Sequence, residues 1–208
     1  MHFEAQLIEK FPEISDIDAK ALSSFRDVLV EESAHQNLTR ILDAVGFIEE
    51  HLTDVIKLKE LDIRFPIMDF GSGGGIPGIP GAILLKGSQW ILAESEVNKA
   101  EFLKKALLAL NIDNASIFYG RGEKYLKEHK TPTIVSRAVG KVDKIYSLIK
   151  ACSTWNKLIL LKGPAWDTEW DEFNSVKGFK GKLSIKRKLE YLVGKENKVR
   201  VIVELSRN

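Results

Sequence analysis

A single cysteine, Cys152, among 208 residues rules out an intrachain disulfide, as is usual in a reducing compartment. No apolar run is long enough to span a bilayer. The first residues lack the basic-then-apolar order of a secretory leader. A cytoplasmic protein with no membrane partner is therefore expected. The four histidines, His2, His35, His51 and His129, show no metal-ligand spacing, so no metal is expected. Internal repeats and low-complexity segments are also lacking. A hydrophobic fraction of 44% leaves ample material for a core. The length suits one α/β domain with an extension better than two full domains.

A strong excess of either charge is missing too, since the net charge is +2. That balance hides an asymmetry. Residues 1–62 carry fourteen Asp/Glu against six Lys/Arg, a net −8, whereas residues 177–200 carry nine Lys/Arg against two Glu, a net +7. A basic tail region of this kind can dock a polyanion, or can be a solvated face.

Helical spacing in Phe3, Leu7, Ile8 and Phe11 stops at Pro12. Ser15 or Asp16 caps a second expected helix with Ala21, Leu22, Phe25, Leu29 and Val30 on its face. Residues 34–42 read as a connector, and a third helix is expected over 44–59. These elements form an N-terminal helical cap (1–62) that belongs to the same domain as the remainder (63–208). From Phe65 short apolar strands alternate with helices: strands at 65–68, 89–93, 115–119, 133–136 and 157–161, helices at 82–86, 97–110, 121–129 and 142–152. Two β-like segments, 183–193 and 198–205, separated by Gly194 and Asn197, read as a closing hairpin. Seven strands, mainly parallel, place the chain in the α/β class. Cys152, on an apolar helix, reads as core. Trp155, Trp166 and Trp170 read as core in preference to base-stacking platforms.

Met68-Asp69-Phe70-Gly71-Ser72-Gly73-Gly74-Gly75-Ile76-Pro77-Gly78 joins the first of these strands to a helix. Glycine admits positive φ and close backbone approach, and a helix N-terminus offers unpaired N–H groups. Two ligands fit the pattern. Gly73, Gly75 and Gly78 spell the dinucleotide fingerprint, with Glu94 roughly 20 residues on. Pro77, just before the last glycine, donates no N–H and makes this a poor pyrophosphate cradle. Counted from Asp69, the run is Asp69-x-Gly71-x-Gly73-x-Gly75, the form seen in methyltransferases that use S-adenosylmethionine, whose ligand carries no phosphate. Asp69 then sets a carboxylate beside the loop, where the ligand's amino acid part lies, and Glu94, ending the second strand, can accept both ribose hydroxyls.

The stretch Asp69-x-Gly-Ser-Gly-Gly-Gly-Ile-Pro-Gly-Ile-Pro80 closely resembles the signature of the bacterial small-subunit ribosomal RNA guanine-N7 methyltransferases, the RsmG or GidB family. Asn37-Leu38-Thr39, His51-Leu52-Thr53-Asp54, Arg121-Gly122-Glu123, Ser136-Arg137-Ala138 and Lys162-Gly163 resemble further family motifs in the same order. The chain departs from the family at Glu50, where Arg is usual, and at Gln36, where an aromatic is common. The resemblance implies a class I S-adenosylmethionine-dependent methyltransferase (Rossmann-like) fold and methylation of guanosine N7 in 16S ribosomal RNA, free or in the small subunit. It implies that Asp69, Gly71, Gly73, Gly75, Ile76, Glu94, Gly122, Glu123 and Arg137 hold the cofactor, with Gly122 and Glu123 bracketing the adenine. Arg137, ending the fourth strand, can pair with the methionine carboxylate, hold a phosphate or base of the RNA, or form a structural ion pair.

Guanine N7 has an in-plane lone pair and no proton to lose, so no general base is expected and Arg137 is at most a positioning group. His51 reads as a packing or capping residue. The candidate RNA contacts are Arg40, Lys162, Lys186, Arg187 and Lys188, although the last three also suit a strand kept soluble by charge. A monomer is expected. The alternatives are an NAD-dependent oxidoreductase and a non-catalytic RNA-binding protein on a methyltransferase fold.

Overall fold

The computed structural model describes residues 2–194 and 196–208. Helix α1 (Phe3–Lys10) ends before Pro12, and α2 (Asp16–Ser33) starts where the Ser15 hydroxyl accepts the Asp18 N–H at 3.1 Å. Ala19, Leu22, Phe25 and Leu29 form the buried stripe of α2 at helical spacing. The third cap helix is not uniform. It runs as α3 (Ala44–Phe47), a π-helical segment (Ile48–Leu52) and α4 (Thr53–Leu58). The Thr53 hydroxyl donates to the Ile48 carbonyl at 3.1 Å across the widened turn. Wide turns of this type concentrate at functional sites, and this one carries His51.

Strand β1 is Ile67–Phe70, two residues later than periodicity predicts. Pro66 has no N–H to give a ladder, and Phe65 is left exposed. Asp69 consequently lies inside the strand, opposite Leu92 and Val135. Helix α5 (Gly78–Leu84) begins four residues earlier than expected, because the Asp69 carboxylate accepts the Gly78 N–H at 3.0 Å and Pro80 is tolerated in a first turn.

The remaining elements follow in order: β2 (Trp90–Glu94), α6 (Val97–Ala109), β3 (Ala115–Tyr119), α7 (Gly122–Glu128), β4 (Thr133–Arg137), α8 (Val142–Ile149), β5 (Lys157–Lys162), α9 (Trp166–Ser175), β6 (Leu183–Val193) and β7 (Lys198–Arg207). Helix α8 stops short of the expected Cys152, which is buried just beyond it.

All seven strands form one sheet in the order β3-β2-β1-β4-β5-β7-β6. The first five are mutually parallel, and β7 runs antiparallel to both β5 and β6. The order reverses between β1 and β4, and ligands of open α/β sheets bind at the carboxyl ends of strands beside such a reversal. One apolar core unites the cap residues Leu22, Phe25, Leu29, Phe47 and Leu52 with Ile79, Leu92 and Leu103. The opposite face of the sheet packs on α7, α8 and α9, with Trp155, Trp166 and Phe173 fully buried. Trp170 stacks on Trp166 and Phe173 with centroids 5.6 and 5.3 Å away, so the tryptophans serve the core.

The charge asymmetry has a structural destination. Glu50 of the acidic cap binds Lys198 and Arg200 of β7, each at 3.0 Å, and Glu49 accepts the Gly194 N–H at 3.1 Å. Arg187 donates to the Glu60 carbonyl. Head and hairpin thus partly neutralise each other. Glu50, where the related pattern has Arg, is matched by two cations from the hairpin.

Candidate active site

At the carboxyl ends of β1, β2 and β4 opens a cleft of about 480 Å³. The glycine loop supplies Gly71, Ser72, Gly73, Gly74 and Ile76; β2 supplies Glu94; β4 and its exit supply Arg137, Ala138 and Val139. The opposite wall comes from the connector (Asn37, Leu38, Thr39) and from His51, with Lys99 of α6 at the rim. Five of the nine expected cofactor residues therefore meet in one place: Gly71, Gly73, Ile76, Glu94 and Arg137.

The loop takes its shape from backbone torsions that glycine allows. Gly71 and Gly73 have φ of +78° and +54°. A Cβ on Gly71 would meet Val139 at 2.5 Å, whereas one on Gly73 would have nothing within 4 Å. Gly73 is thus the point at which bare backbone faces open cleft. Its N–H donates to Glu94 Oε2 at 2.9 Å, while Glu94 Oε1 accepts the Ser95 and Glu96 N–H groups at 2.7 and 2.8 Å. A carboxylate offers about four acceptor positions, so one remains on Oε2. The backbone turns sharply again at Ala138, a non-glycine residue with φ of +59°, which is an uncommon and costly torsion.

Four expected cofactor residues stand elsewhere. Asp69 is fully buried and does not line the cleft; its carboxylate caps α5 through Gly78 and shapes the loop from within. Gly75 packs beneath Ile79 and Leu103. Gly122 sits against the Phe70 ring, where a Cβ would approach to 2.6 Å. Glu123 is half-buried in the first turn of α7, outside the lining. The dinucleotide reading loses its third glycine as a donor, because the Gly78 N–H is taken by Asp69 and a Cβ there would meet Leu92 at 2.2 Å.

A buried polar chain crosses the cleft floor. Arg137 donates from Nη2 to His51 Nδ1 at 2.7 Å, and its Nη1 lies 3.7 Å from Asp54 Oδ2. Asp54 Oδ1 accepts the Tyr191 hydroxyl at 2.7 Å, and His51 Nε2 lies 3.0 Å from the Thr39 hydroxyl. Arg137 Nη1 has no hydrogen-bond partner although it is buried. Desolvation dominates throughout this chain: it lowers the Arg137 pKa and raises that of Asp54, in each case against the attraction of the other. His51 and Asp54 hold the Arg137 guanidinium in place, and burying the ion pair costs stability. Sequence reasoning assigned His51 to packing and missed Asp54 and Tyr191. The His51-to-Asp54 motif was the available signal for the first two. Nothing in the hairpin sequence marked Tyr191.

Two groups here give stability a measurable pH dependence. Burial, assisted by Arg137, lowers the His51 pKa to about 3, below its ordinary 6.5. The unfolded chain therefore binds a proton that the folded one refuses between these values, and stability is lost as pH falls from about 6.5 towards 3. Burial raises the Asp69 pKa from 3.8 to about 7. There the folded chain holds the extra proton, so stability falls as pH rises across that window. Denaturant unfolding from pH 4 to 7 is expected to show opposite changes in slope: His51→Gln removes a positive contribution and Asp69→Asn a negative one. Equal slopes in both variants and the parent would contradict these environments.

The candidate RNA contacts divide. Arg40 and Lys186 are exposed, and Lys186 occupies the register shift between Ile185 and Arg187 on edge strand β6. Lys162 is committed to Glu169 at 2.6 Å and to the Gly140 carbonyl at 2.7 Å, with little solvent access. Lys188 pairs with Asp167 and Glu190, and Arg187 reaches Glu60. Lys162 is thus engaged within the fold, as are Arg187 and Lys188. Among the described residues, no helix is long and apolar enough to cross a membrane, and no cluster of His, Cys, Asp or Glu could hold a metal ion.

Comparison with known proteins shows the fold and the family. Solved structures with the same fold include a mutant of MtNAS in complex with S-adenosylmethionine (TM-score 0.57, 14% identity, 90% of this chain and 71% of that one). Another is a putative methyltransferase from Escherichia coli (TM-score 0.52, 16% identity, 82% and 90%). Among curated proteins, the ribosomal RNA small subunit methyltransferase G of Solibacter usitatus is 33% identical over 76% of this chain and 77% of its own length. That of Nitrosomonas europaea is 31% identical over 84% and 86%. The family model described as GidB, rRNA small subunit methyltransferase G, matches residues 18–193. The chain belongs to this family of S-adenosylmethionine-dependent ribosomal RNA methyltransferases.

Proposed function

We propose that this cleft transfers the methyl group of S-adenosylmethionine to N7 of a guanosine in 16S ribosomal RNA. The observation that carries the reading is that Gly73, Glu94 and Arg137 open onto one cleft at the switch point of the sheet. Bound S-adenosylmethionine supplies an electrophilic methyl group on a sulfonium. Open space over Gly73 fits close ligand approach, and the remaining acceptor position of Glu94 fits a ribose hydroxyl. The Arg137 guanidinium, whose Nη1 lies 3.7 Å from Asp54 but makes no hydrogen bond, fits the methionine carboxylate. Ile76 and Gly71 line the same end, Asp69 and Gly75 hold the loop in shape, and Gly122 and Glu123 serve the adenine end.

N7 attacks through a lone pair already in the base plane, so these residues have no proton to move. Their task is in-line orientation, which alone can lower a barrier by roughly 7–11 kcal/mol. Arg40 and Lys186 remain as contacts for RNA phosphates. The enzyme acts in the cytoplasm as a monomer, on free 16S ribosomal RNA or on the small subunit.

Labelled-methyl transfer tests the assignment. With S-adenosylmethionine, 16S ribosomal RNA from cells lacking the protein is expected to acquire label stoichiometrically. Stabilisation of the protein by NAD alone, with no label transferred, would favour the oxidoreductase reading. Cofactor binding without transfer would favour a binding-only protein.

A further inference from the structure

Hydrogen-bond bookkeeping across the cleft floor determines what the Thr39 hydroxyl can do. Arg137 Nη2 has only protons to give, so its 2.7 Å contact requires a lone pair on His51 Nδ1. The neutral imidazole then carries its proton on Nε2, which donates to Thr39 Oγ1 at 3.0 Å. The same oxygen accepts the Ile41 N–H at 3.1 Å. Both lone pairs of the hydroxyl are thereby occupied, and only its hydrogen remains. Thr39 lines the cleft opposite the glycine loop. The chain from Arg137 through His51 turns an ordinarily ambivalent hydroxyl into an obligate donor.

We propose that Thr39 is a specificity-determining residue whose hydroxyl donates to O6 of the target guanine, oriented for that task by His51. The proposal rests on the reading of the cleft as a guanine-N7 methylation site. On the edge of guanine that carries N7, the neighbouring group is O6, an acceptor; adenine places an N6 amino donor there. A wall that can only donate satisfies the first and opposes the second, while leaving the N7 lone pair to react. Charge matching separates Thr39 from the cofactor: a carboxylate is better served by the guanidinium of Arg137, and a neutral carbonyl oxygen by a neutral hydroxyl. Leaving a buried donor unpaired is what rejects the wrong base.

The test uses 16S ribosomal RNA carrying, at the mapped target position, either guanosine or 2,6-diaminopurine riboside, which replaces O6 by an amino group. The wild-type enzyme is expected to prefer guanosine strongly. Thr39→Val is expected to lower kcat/KM on guanosine by about tenfold or more and to collapse the preference, with S-adenosylmethionine affinity unchanged in calorimetry. Thr39→Ser, which keeps the hydroxyl, is expected to restore both rate and preference. Equal losses on the two RNAs in Thr39→Val, a matching loss of cofactor affinity, or a Thr39→Ser variant as impaired as Thr39→Val would overturn the proposal. No transfer by the wild type to either RNA would instead overturn the methylation reading, and the role of Thr39 with it.

Discussion

Changing Gly73 to Asp is expected to weaken S-adenosylmethionine binding at least about 100-fold, or roughly 2.7 kcal/mol, while leaving the fold almost as stable. The asymmetry follows from the geometry. A side chain at Gly73 meets no protein atom within 4 Å, so folding has little to lose. Its φ of +54° is a torsion that Asp and Asn tolerate better than most residues. The same open space is where backbone must approach a ligand. Gly73→Asn is expected to lose affinity similarly, because volume and not charge is the cause. Calorimetric titration reads the affinity and thermal unfolding the stability; unchanged affinity in both variants would remove the ligand from this loop.

Arg137 provides the second large effect, and it divides into two parts. Arg137→Met leaves Asp54, 1% exposed, with Tyr191 as its remaining hydrogen-bond partner. Stranding one member of a buried ion pair typically costs about 3–5 kcal/mol. The double variant Arg137→Met, Asp54→Leu removes both charges and is expected to recover most of that stability. Activity is expected to stay at least about 100-fold down in both, since a cation that lines the cleft is gone. Denaturant unfolding beside a methyl-transfer assay separates the parts. Recovery of activity with stability in the double variant would make Arg137 a structural ion pair only.

Much of this was legible in residue order because the elements are built from local signals. Seven strands, the closing hairpin and the cap helices follow from periodicity, Ser15, Pro12 and the glycines. The misplacements share one physical reason, that a tertiary bond outweighed a local pattern. The Asp69 carboxylate draws the start of α5 back to Gly78 and removes itself from the cleft. In the same way the Thr53 hydroxyl bonds the Ile48 carbonyl across a widened turn, where an unbroken helix was expected.

The lining of the cleft was half readable. Glu94 and Arg137 end β2 and β4, and Gly71, Gly73 and Ile76 lie in the loop that follows β1, beside the reversal where topology sends ligands. His51, Asp54 and Tyr191 come from the cap and the last hairpin, and only folding brings them to Arg137. Part of the basic tail is paired within the fold for a related reason. Composition shows Arg187, Lys188 and Arg200 but not the Glu60, Asp167 and Glu50 that face them.

The chemical identity of the methylated nucleotide decides whether this cleft methylates guanine N7. N7 methylation places a positive charge on the imidazole ring of guanine and makes that position labile to borohydride reduction followed by aniline scission. After incubation with the protein and labelled S-adenosylmethionine, 16S ribosomal RNA from cells lacking the protein is expected to break at one guanosine after reduction, and acid hydrolysis of an unreduced sample is expected to release the label as 7-methylguanine. Label retained on another base or on a ribose, with no scission, would contradict the account.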